Sequence, residues 1–322
     1  MSDVLLKIKD LYVEYNTENA VIGGRQIVHA VNGVSLEVNK GEILAIAGES
    51  GCGKSTLAKS IVLLEKTKSG ELMYDGKSIL TMSKNEQKDY RAKVQMIFQN
   101  PYASLNPKMK IVDTLKEPLK INTKYSDIEV FNVIKEKIEK VGLTVDSLSL
   151  YPHEFSGGQR QRIAIARTLV LNPEFIIADE PVSALDVSIQ AQILNLMKTL
   201  KRDYNLTILL ITHDMGVIKY LADRVAIMYL GEIVEIGSTS QVFMNPKHPY
   251  TKALLSAVPS FENSDRKRVI LKGDLPSPTN LPEGCKFHTR CPHCMPICKT
   301  CAPQDYYSYE DHSAKCFLYL NK

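Results

Sequence analysis

The stretch Gly48-Glu49-Ser50-Gly51-Cys52-Gly53-Lys54-Ser55-Thr56 constrains this chain more than any other. It follows Glu42 to Ala47, which reads as a short buried strand, and runs into Thr56 to Leu64, which reads as a helix. Strand, glycine-rich turn, Lys-Ser and helix form the phosphate-binding loop pattern in the setting that gives the pattern meaning. Glycines let the backbone wrap closely, so that N–H groups and a helix N-terminus face the phosphates. Lys54 then reaches the β- and γ-phosphates while the Ser55 hydroxyl binds Mg²⁺. The cofactor-binding candidates here are Gly48, Ser50, Gly51, Gly53, Lys54, Ser55 and Thr56. An ordinary glycine-rich turn with a lysine after it is disfavoured by the full match between strand and helix. Nucleotide binding follows from this stretch alone; the use made of the nucleotide does not.

The rest of the chain gives that loop a large α/β setting. With 322 residues, one large domain or two ordinary ones can each bury a core. A hydrophobic fraction of 44% with 24% charged residues describes a soluble globular protein. A net charge of +4 is too slight and dispersed to argue for nucleic acid. No run approaches the roughly 18 apolar residues of a membrane helix. The start, Met1-Ser2-Asp3-Val4, lacks a basic flank before an apolar run, so no secretory signal is predicted and the cytosol is the expected compartment.

Residues 4–15 and 27–38 read as strands of an antiparallel layer leading into the loop strand. Residues 70–76 and 94–98 read as further strands, and Lys84 to Lys93 as a polar helix. From about 101 to 171 helical patterns dominate, with Ser126-Asp127 as a cap region before Ile128 to Val141. Sheet texture returns at Phe175 to Ala178, Thr207 to Ile211 and Arg224 to Tyr229, with an amphipathic helix over Ser188 to Tyr204. Strands alternating with helices predict a mostly parallel sheet whose ligand-binding residues sit at the carboxyl ends of the strands. Gln99, Asp179, Glu180 and His213 all fall there. Beyond about Pro259 a charged segment and a proline-rich link, Leu275 to Pro282, lead into a cysteine-rich tail.

Two further constellations carry chemistry. Asp179-Glu180 closes an apolar strand: beside a phosphate-binding loop, the Asp can hold Mg²⁺ and the Glu can polarise a water aimed at the γ-phosphate. Solvated carboxylates at a strand end are the bland alternative, and the upstream loop weighs against it. Phe155-Ser156-Gly157-Gly158-Gln159 sets a hydroxyl and two glycines at a helix start, a second anion site. One nucleotide does not need two cradles far apart in one chain. Two subunits packed head to tail, each completing the other's site, would use both.

With these residues in hand, the chain resembles the ATP-binding subunit of an ABC transporter over about residues 5–245. Gly48 to Ser55 matches the Walker A motif, Gln99 the Q-loop, Ser156-Gly157-Gly158-Gln159 the signature, and Phe175 to Asp179 the Walker B motif. Glu180 matches the catalytic glutamate, Ser183 to Asp186 the D-loop, and His213 the switch histidine, which the strand order sets beside Glu180. Tyr15 is the best match to the aromatic that stacks on adenine, with Tyr12 close by and a core-filling role as the alternative. The signature opens with Phe155 where Leu is more usual; both are apolar. Phe98 to Pro107, Tyr151 to Gln159, Asn245 to Pro259 and the tail after Leu275 narrow the resemblance to oligopeptide and dipeptide importers, and Tyr102-Ala103-Ser104 to their second, F-type ATPase.

That resemblance implies a P-loop ATPase core with an antiparallel β layer and a helical subdomain over about 101–171, within a domain spanning 1–258, and a small cysteine-rich domain over 259–322. It implies catalysis by Glu180, His213, Gln99 and Lys54, with ATP also touching Tyr15, Asp179, Ser156, Gly158, Gln159 and Asp186. Ser55, Gln99 and Asp179 would hold Mg²⁺. The implied partners are a second ATPase (a paralogue or itself), two membrane permease subunits and, indirectly, an extracellular binding protein, at the cytosolic face of the plasma membrane. A nickel or other small-solute importer is the rival within the family. A soluble ATPase acting on nucleic acid or ribosomes is the rival outside it, disfavoured by the single ATPase domain.

Six of the seven cysteines crowd between residues 285 and 316. In a cytosolic nucleotide-binding protein that pattern points to metal before disulfides. Cys285, Cys291, Cys298 and Cys316 resemble the spacing of importer ATPases that hold a [4Fe–4S] cluster. Four thiolates also suit Zn²⁺, and Cys294 and Cys301 add two Cys-x2-Cys spacings; unmetallated thiols are the third reading. Cys52 reads as incidental, and His312 as structural.

Overall fold

The computed structural model describes residues 3–18, 25–100, 104–257, 271 and 273–320. Tyr102-Ala103, Val258-Pro259 and most of the charged segment that follows lie outside the described residues. Backbone contacts separate Met1–Leu80 with Ile211–Lys322 from Thr81–Leu210.

In the first unit, β1 (Val4–Glu18) pairs antiparallel with β2 (Arg25–Asn39) along its length. The strand β3 (Ile43–Ala47) leads to the phosphate-binding loop, while β4 (Ser69–Tyr74) and β5 (Lys77–Ser78) complete the layer in the order β2-β1-β4-β5. The expected antiparallel layer is therefore present. Its core face is carried by Leu6, Ile8, Leu11 and Val13, all buried. That spacing breaks strict alternation once, between Ile8 and Leu11, where the register with β2 shifts and Asp10 takes a positive φ of 46°. The irregularity re-phases the strand, so both halves present apolar residues to one face.

All five residues of β3 are buried, as a strand covered on both faces requires, and so are the five of β8 (Thr207–Ile211). The strand β3 pairs parallel with β9 (Arg224–Tyr229), and β10 (Glu232–Ser238) pairs antiparallel with β9. The tail then contributes β11 (Asp305–Tyr309) and β12 (His312–Lys315), with β12 antiparallel to β10. Sequence pattern does not announce that the hairpin β11–β12 joins β10, because that pairing links segments distant in the chain. Buried Glu235 accepts hydrogen bonds at 2.8 Å from the Lys247 and His248 N–H groups and meets His312 Nε2 at 2.7 Å, which ties the tail to the sheet edge.

In the second unit, β6 (Val94–Ile97) and β7 (Phe175–Asp179) pair parallel, with Ile97 opposite Ala178. Helices surround them. The predicted helix after Ser126 is α4 (Asp127–Lys140), preceded in the chain by α1 (Lys54–Ile61), α2 (Lys84–Lys93) and α3 (Ile111–Asn122). Ser126 and Glu129 form a reciprocal capping box, and Val130, Ile134 and Ile138 are buried at helical spacing. After α5 (Gly157–Leu169), the amphipathic helix α6 (Val187–Tyr204) buries Ile193, Leu194, Met197 and Leu200. Among the described residues no helix is long and apolar enough to cross a membrane.

The first unit centres on an aromatic cluster. Tyr229, Tyr250 and Phe287 are fully buried, with ring centroids 4.7 to 5.5 Å apart. Phe287 brings the cysteine-rich tail into this core. Phe287→Ala should cost about 3–5 kcal/mol, read as a lowered urea midpoint of unfolding; a change below about 1 kcal/mol would show that the cluster does not hold the tail.

Candidate functional site

The phosphate-binding loop joins β3 to α1 as the sequence requires, but the helix begins at Lys54, two residues before the pattern reading. Its N-cap is Gly53 with φ 105°, and no side chain caps the helix. The helix start that a phosphate needs, an N-terminus with no side chain laid across it as a cap, is therefore present. A Cβ at Gly53 would overlap the Ala30 carbonyl, so only glycine allows this approach. Lys54 is buried, and its ammonium donates to the carbonyls of Gly48 at 2.7 Å and Glu49 at 2.9 Å. Those bonds hold the cation against the loop instead of letting it range into solvent. Ser50 and Gly51 are exposed, while Ser55 and Thr56 are half-buried at the helix start.

Two other predicted residues come to this loop. Tyr15 Oη donates to Thr56 Oγ1 at 3.4 Å, whereas Tyr12 is more exposed and lies against Gly33. Of the two candidates, Tyr15 is thus the one in contact with α1. His213 is exposed and follows Thr212, whose N–H donates to the Ile46 carbonyl of β3 at 3.2 Å. That bond brings His213 to the end of β3 that carries the loop.

Within the second unit, the parallel register of β6 and β7 brings Gln99 and Glu180 together. Gln99 Nε2 donates to Glu180 Oε2 at 2.8 Å, although 81 residues separate them. Asp179 is buried at the end of β7. Glu180 adopts φ 46°, a left-handed conformation that costs a non-glycine residue on the order of 1–3 kcal/mol. Its carbonyl accepts from both the N–H and the hydroxyl of Ser183, which helps secure the bend. Gln190 Nε2 donates to the Val182 and Leu185 carbonyls, each at 3.0 Å, and so braces the segment 183–186. Asp186 caps α6 by accepting from Ile189 N–H, a bond that draws its carboxyl below the usual range.

Ser156 and Gln159 cap α5 reciprocally: the hydroxyl accepts from Gln159 N–H at 3.4 Å, and the amide oxygen from Ser156 N–H at 3.0 Å. The helix start expected to be a second anion site is therefore partly self-satisfied, with the bond to the hydroxyl the longer of the two. A Cβ at Gly158 would collide with Ile189, so the glycine there permits α5 and α6 to touch.

In the tail, Cys285, Cys291, Cys298 and Cys316 influence one another electrostatically, while Cys294 and Cys301 are exposed. Burial pushes the Cys285 thiol up to about 12 and Cys291 up to about 11, and raises Cys316; the neighbouring thiols add to each. Among the described residues, no three His, Cys, Asp or Glu side chains are set to hold one metal ion.

The profile described as "ABC transporter" matches residues 31–183, and that of "Oligopeptide/dipeptide transporter, C-terminal region" matches 234–298. The oligopeptide transport ATP-binding protein AppF of Bacillus subtilis is 49% identical over 296 residues, covering 91% of this chain and 90% of its own. The chain belongs to the ABC transporter ATPases. The dipeptide transport ATP-binding protein DppF of Escherichia coli is 48% identical over 301 residues, covering 93% and 90%. Among solved structures, a dimeric ATP-binding cassette in a post-hydrolysis state with ADP and Pi has a TM-score of 0.65 at 29% identity. It covers 73% of this chain and 99% of its own. The α/β ATPase fold with its antiparallel layer is thus that of the ABC family.

Three residues at the loop carried no sequence signal for a role there: Glu49, Tyr250 and Arg290 stand only as positions within longer matched stretches. Tyr250 Oη accepts from Glu49 N–H at 2.9 Å, and Arg290 pairs with the Glu49 carboxylate. Tyr250 is held in turn by His248, whose Nδ1 accepts from Tyr250 N–H at 3.1 Å. That bond needs neutral imidazole, and burial pushes His248 down to about 4 from an ordinary 6.5. The unfolded chain therefore binds this proton more tightly, so the contribution is complete above about pH 6.5 and is lost as pH falls toward 4. Urea midpoints should drop across that window in the native chain and drop less in His248→Asn, which retains a capping acceptor. Parallel pH profiles would refute the assignment.

Proposed function

We propose that this chain powers peptide import by hydrolysing ATP on the cytosolic side of a membrane transporter. The bond between Gln99 and Glu180 is the observation that carries hydrolysis: it fixes a carboxylate beside an amide at the strand ends, the pair needed to orient a water. The match of the tail to the oligopeptide/dipeptide C-terminal region supports peptide as cargo.

In this reading the uncapped start of α1 and Lys54 bind the β- and γ-phosphates, and Tyr15 stacks on adenine. Ser55, Asp179 and Gln99 would hold Mg²⁺, an ion that neutralises charge developing on the phosphates. The donor set, a hydroxyl, a carboxylate and an amide oxygen, suits that hard ion. Glu180 orients the attacking water, and His213 steadies the γ-phosphate. Ser156, Gly158, Gln159 and Asp186 act on the nucleotide of a second ATPase subunit, so Lys54 completes its work only in a dimer. The helical subdomain meets two membrane permease subunits, which receive peptide from an extracellular binding protein.

For the tail, the reading is a [4Fe–4S] cluster on Cys285, Cys291, Cys298 and Cys316. The spacing and number of these four thiols, two of them buried and two half-buried, are what support this reading. Such a cluster would cross-link the tail.

Glu180→Gln should reduce ATP turnover of the assembled transporter by about 10²–10⁴-fold while trapping ATP-bound dimers on size exclusion; an unchanged rate would remove Glu180 from its role. Anaerobic purification followed by iron, sulfide and zinc analysis should find iron and sulfide; zinc alone, or no metal, would overturn the cluster.

A further inference from the structure

Glu49 is the second residue of the phosphate-binding loop, and each of its polar groups is held by another residue. Its N–H donates to Tyr250 Oη, and its carbonyl accepts from Lys54 Nζ. Its carboxylate receives both terminal nitrogens of Arg290, Nη1 at 2.6 Å and Nη2 at 3.1 Å. The Arg290 side chain is only 8% exposed and that of Glu49 29%, so this two-pronged pair is largely shielded from water. A sequence distance of 241 residues separates them.

The backbone carrying Arg290 belongs to the cysteine-bearing turn. His288 N–H donates to the Cys285 carbonyl, Arg290 N–H to Phe287, and Cys291 N–H to His288. Cys285 N–H in turn donates to the Cys298 carbonyl. Phe287, buried against Tyr229 and Tyr250, anchors the same turn, and the Tyr229 ring lies 6.0 Å from the guanidinium carbon of Arg290. Anything that moves the backbone between Cys285 and Cys298 therefore moves the guanidinium. Loss of the pair would strand a shielded charge and release the lip of the loop, whose N–H groups must be aligned to within about 1 Å to bind phosphate well.

We infer that Arg290 is a positioning residue for ATP: by gripping Glu49 it fixes the lip of the phosphate-binding loop, and it couples nucleotide affinity to the state of the cysteine-bearing turn. The inference rests on the reading of that loop as the ATP site, and it adds a control on the loop from the tail.

The test is a titration of the full-length chain with a fluorescent ATP analogue, together with ATPase kinetics of the assembled transporter. Arg290→Ala should weaken nucleotide affinity about tenfold and raise KM for ATP to a similar extent, with kcat within about twofold. Arg290→Lys should recover part of the loss. Glu49→Gln should weaken affinity in the same direction with an unchanged circular dichroism spectrum, which keeps the test open should Arg290→Ala fold poorly. The double variant Glu49→Gln/Arg290→Ala should bind no worse than about twofold below the weaker single one. Cys285→Ser should weaken binding in the native background and have no further effect beside Arg290→Ala. Unchanged affinity in both Arg290→Ala and Glu49→Gln, or fully additive losses, would overturn the inference. Lys54→Ala separates the two levels: if it leaves binding intact, the loop reading itself fails. If it abolishes binding while the Arg290 and Glu49 variants bind normally, only the positioning role fails.

Discussion

The uncapped N-terminus of α1 is the feature on which the rest of this structure depends. Gly53 stands at the cap in a left-handed conformation and offers no side chain to the first helical N–H groups. At four other helix starts Ser83, Ser126, Ser156 and Asp186 each accept from their own helix, while α3 also begins without a side-chain cap, at Lys110. A capped start gains stability of about 0.5–2 kcal/mol. At α1 no side chain supplies that gain, so nothing of the chain's own is laid across the helix start as a cap. Burial of β3 on both faces and the close passage of Ala30 behind Gly53 keep the helix start in place.

Around that start, the first unit supplies restraint from three directions. Lys54 draws its charge onto the Gly48 and Glu49 carbonyls, Tyr250 takes the Glu49 N–H, and Arg290 takes the carboxylate. The tail thus does more than append strands to β10: it reaches the loop through a buried aromatic cluster and one ion pair. In the second unit the restraint is different in kind. Parallel registry of β6 with β7 brings Gln99 to Glu180, and a left-handed residue at Glu180 aims the carboxylate there.

What could be read along the chain was what short-range chemistry encodes. The loop, the apolar strand before it, the Ser126 cap and the helical spacing of Val130, Ile134 and Ile138 all depend on residues within a few positions of one another. The pair Asp179-Glu180 was legible for the same reason. Tyr12 against Tyr15 was not, because two tyrosines three residues apart on a strand look alike until the register shifts between Val13 and Glu14 and Thr56 meets one of them. Strands β10 to β12 were also silent, since a strand of four to seven residues declares itself through its partners.

By itself, then, the sequence determined the strand, loop and helix around Lys54, the two carboxylates at the end of β7 and the helix start at Ser156, since each rests on residue types and spacing along a few consecutive positions. Tertiary structure alone decided that Gln99 meets Glu180, that Tyr15 touches α1, and that Arg290 grips Glu49. Those pairs are 81, 41 and 241 residues apart. Hydrogen bonds and ion pairs act over about 3 Å, so no pattern in the linear chain can record which distant side chains will come that close.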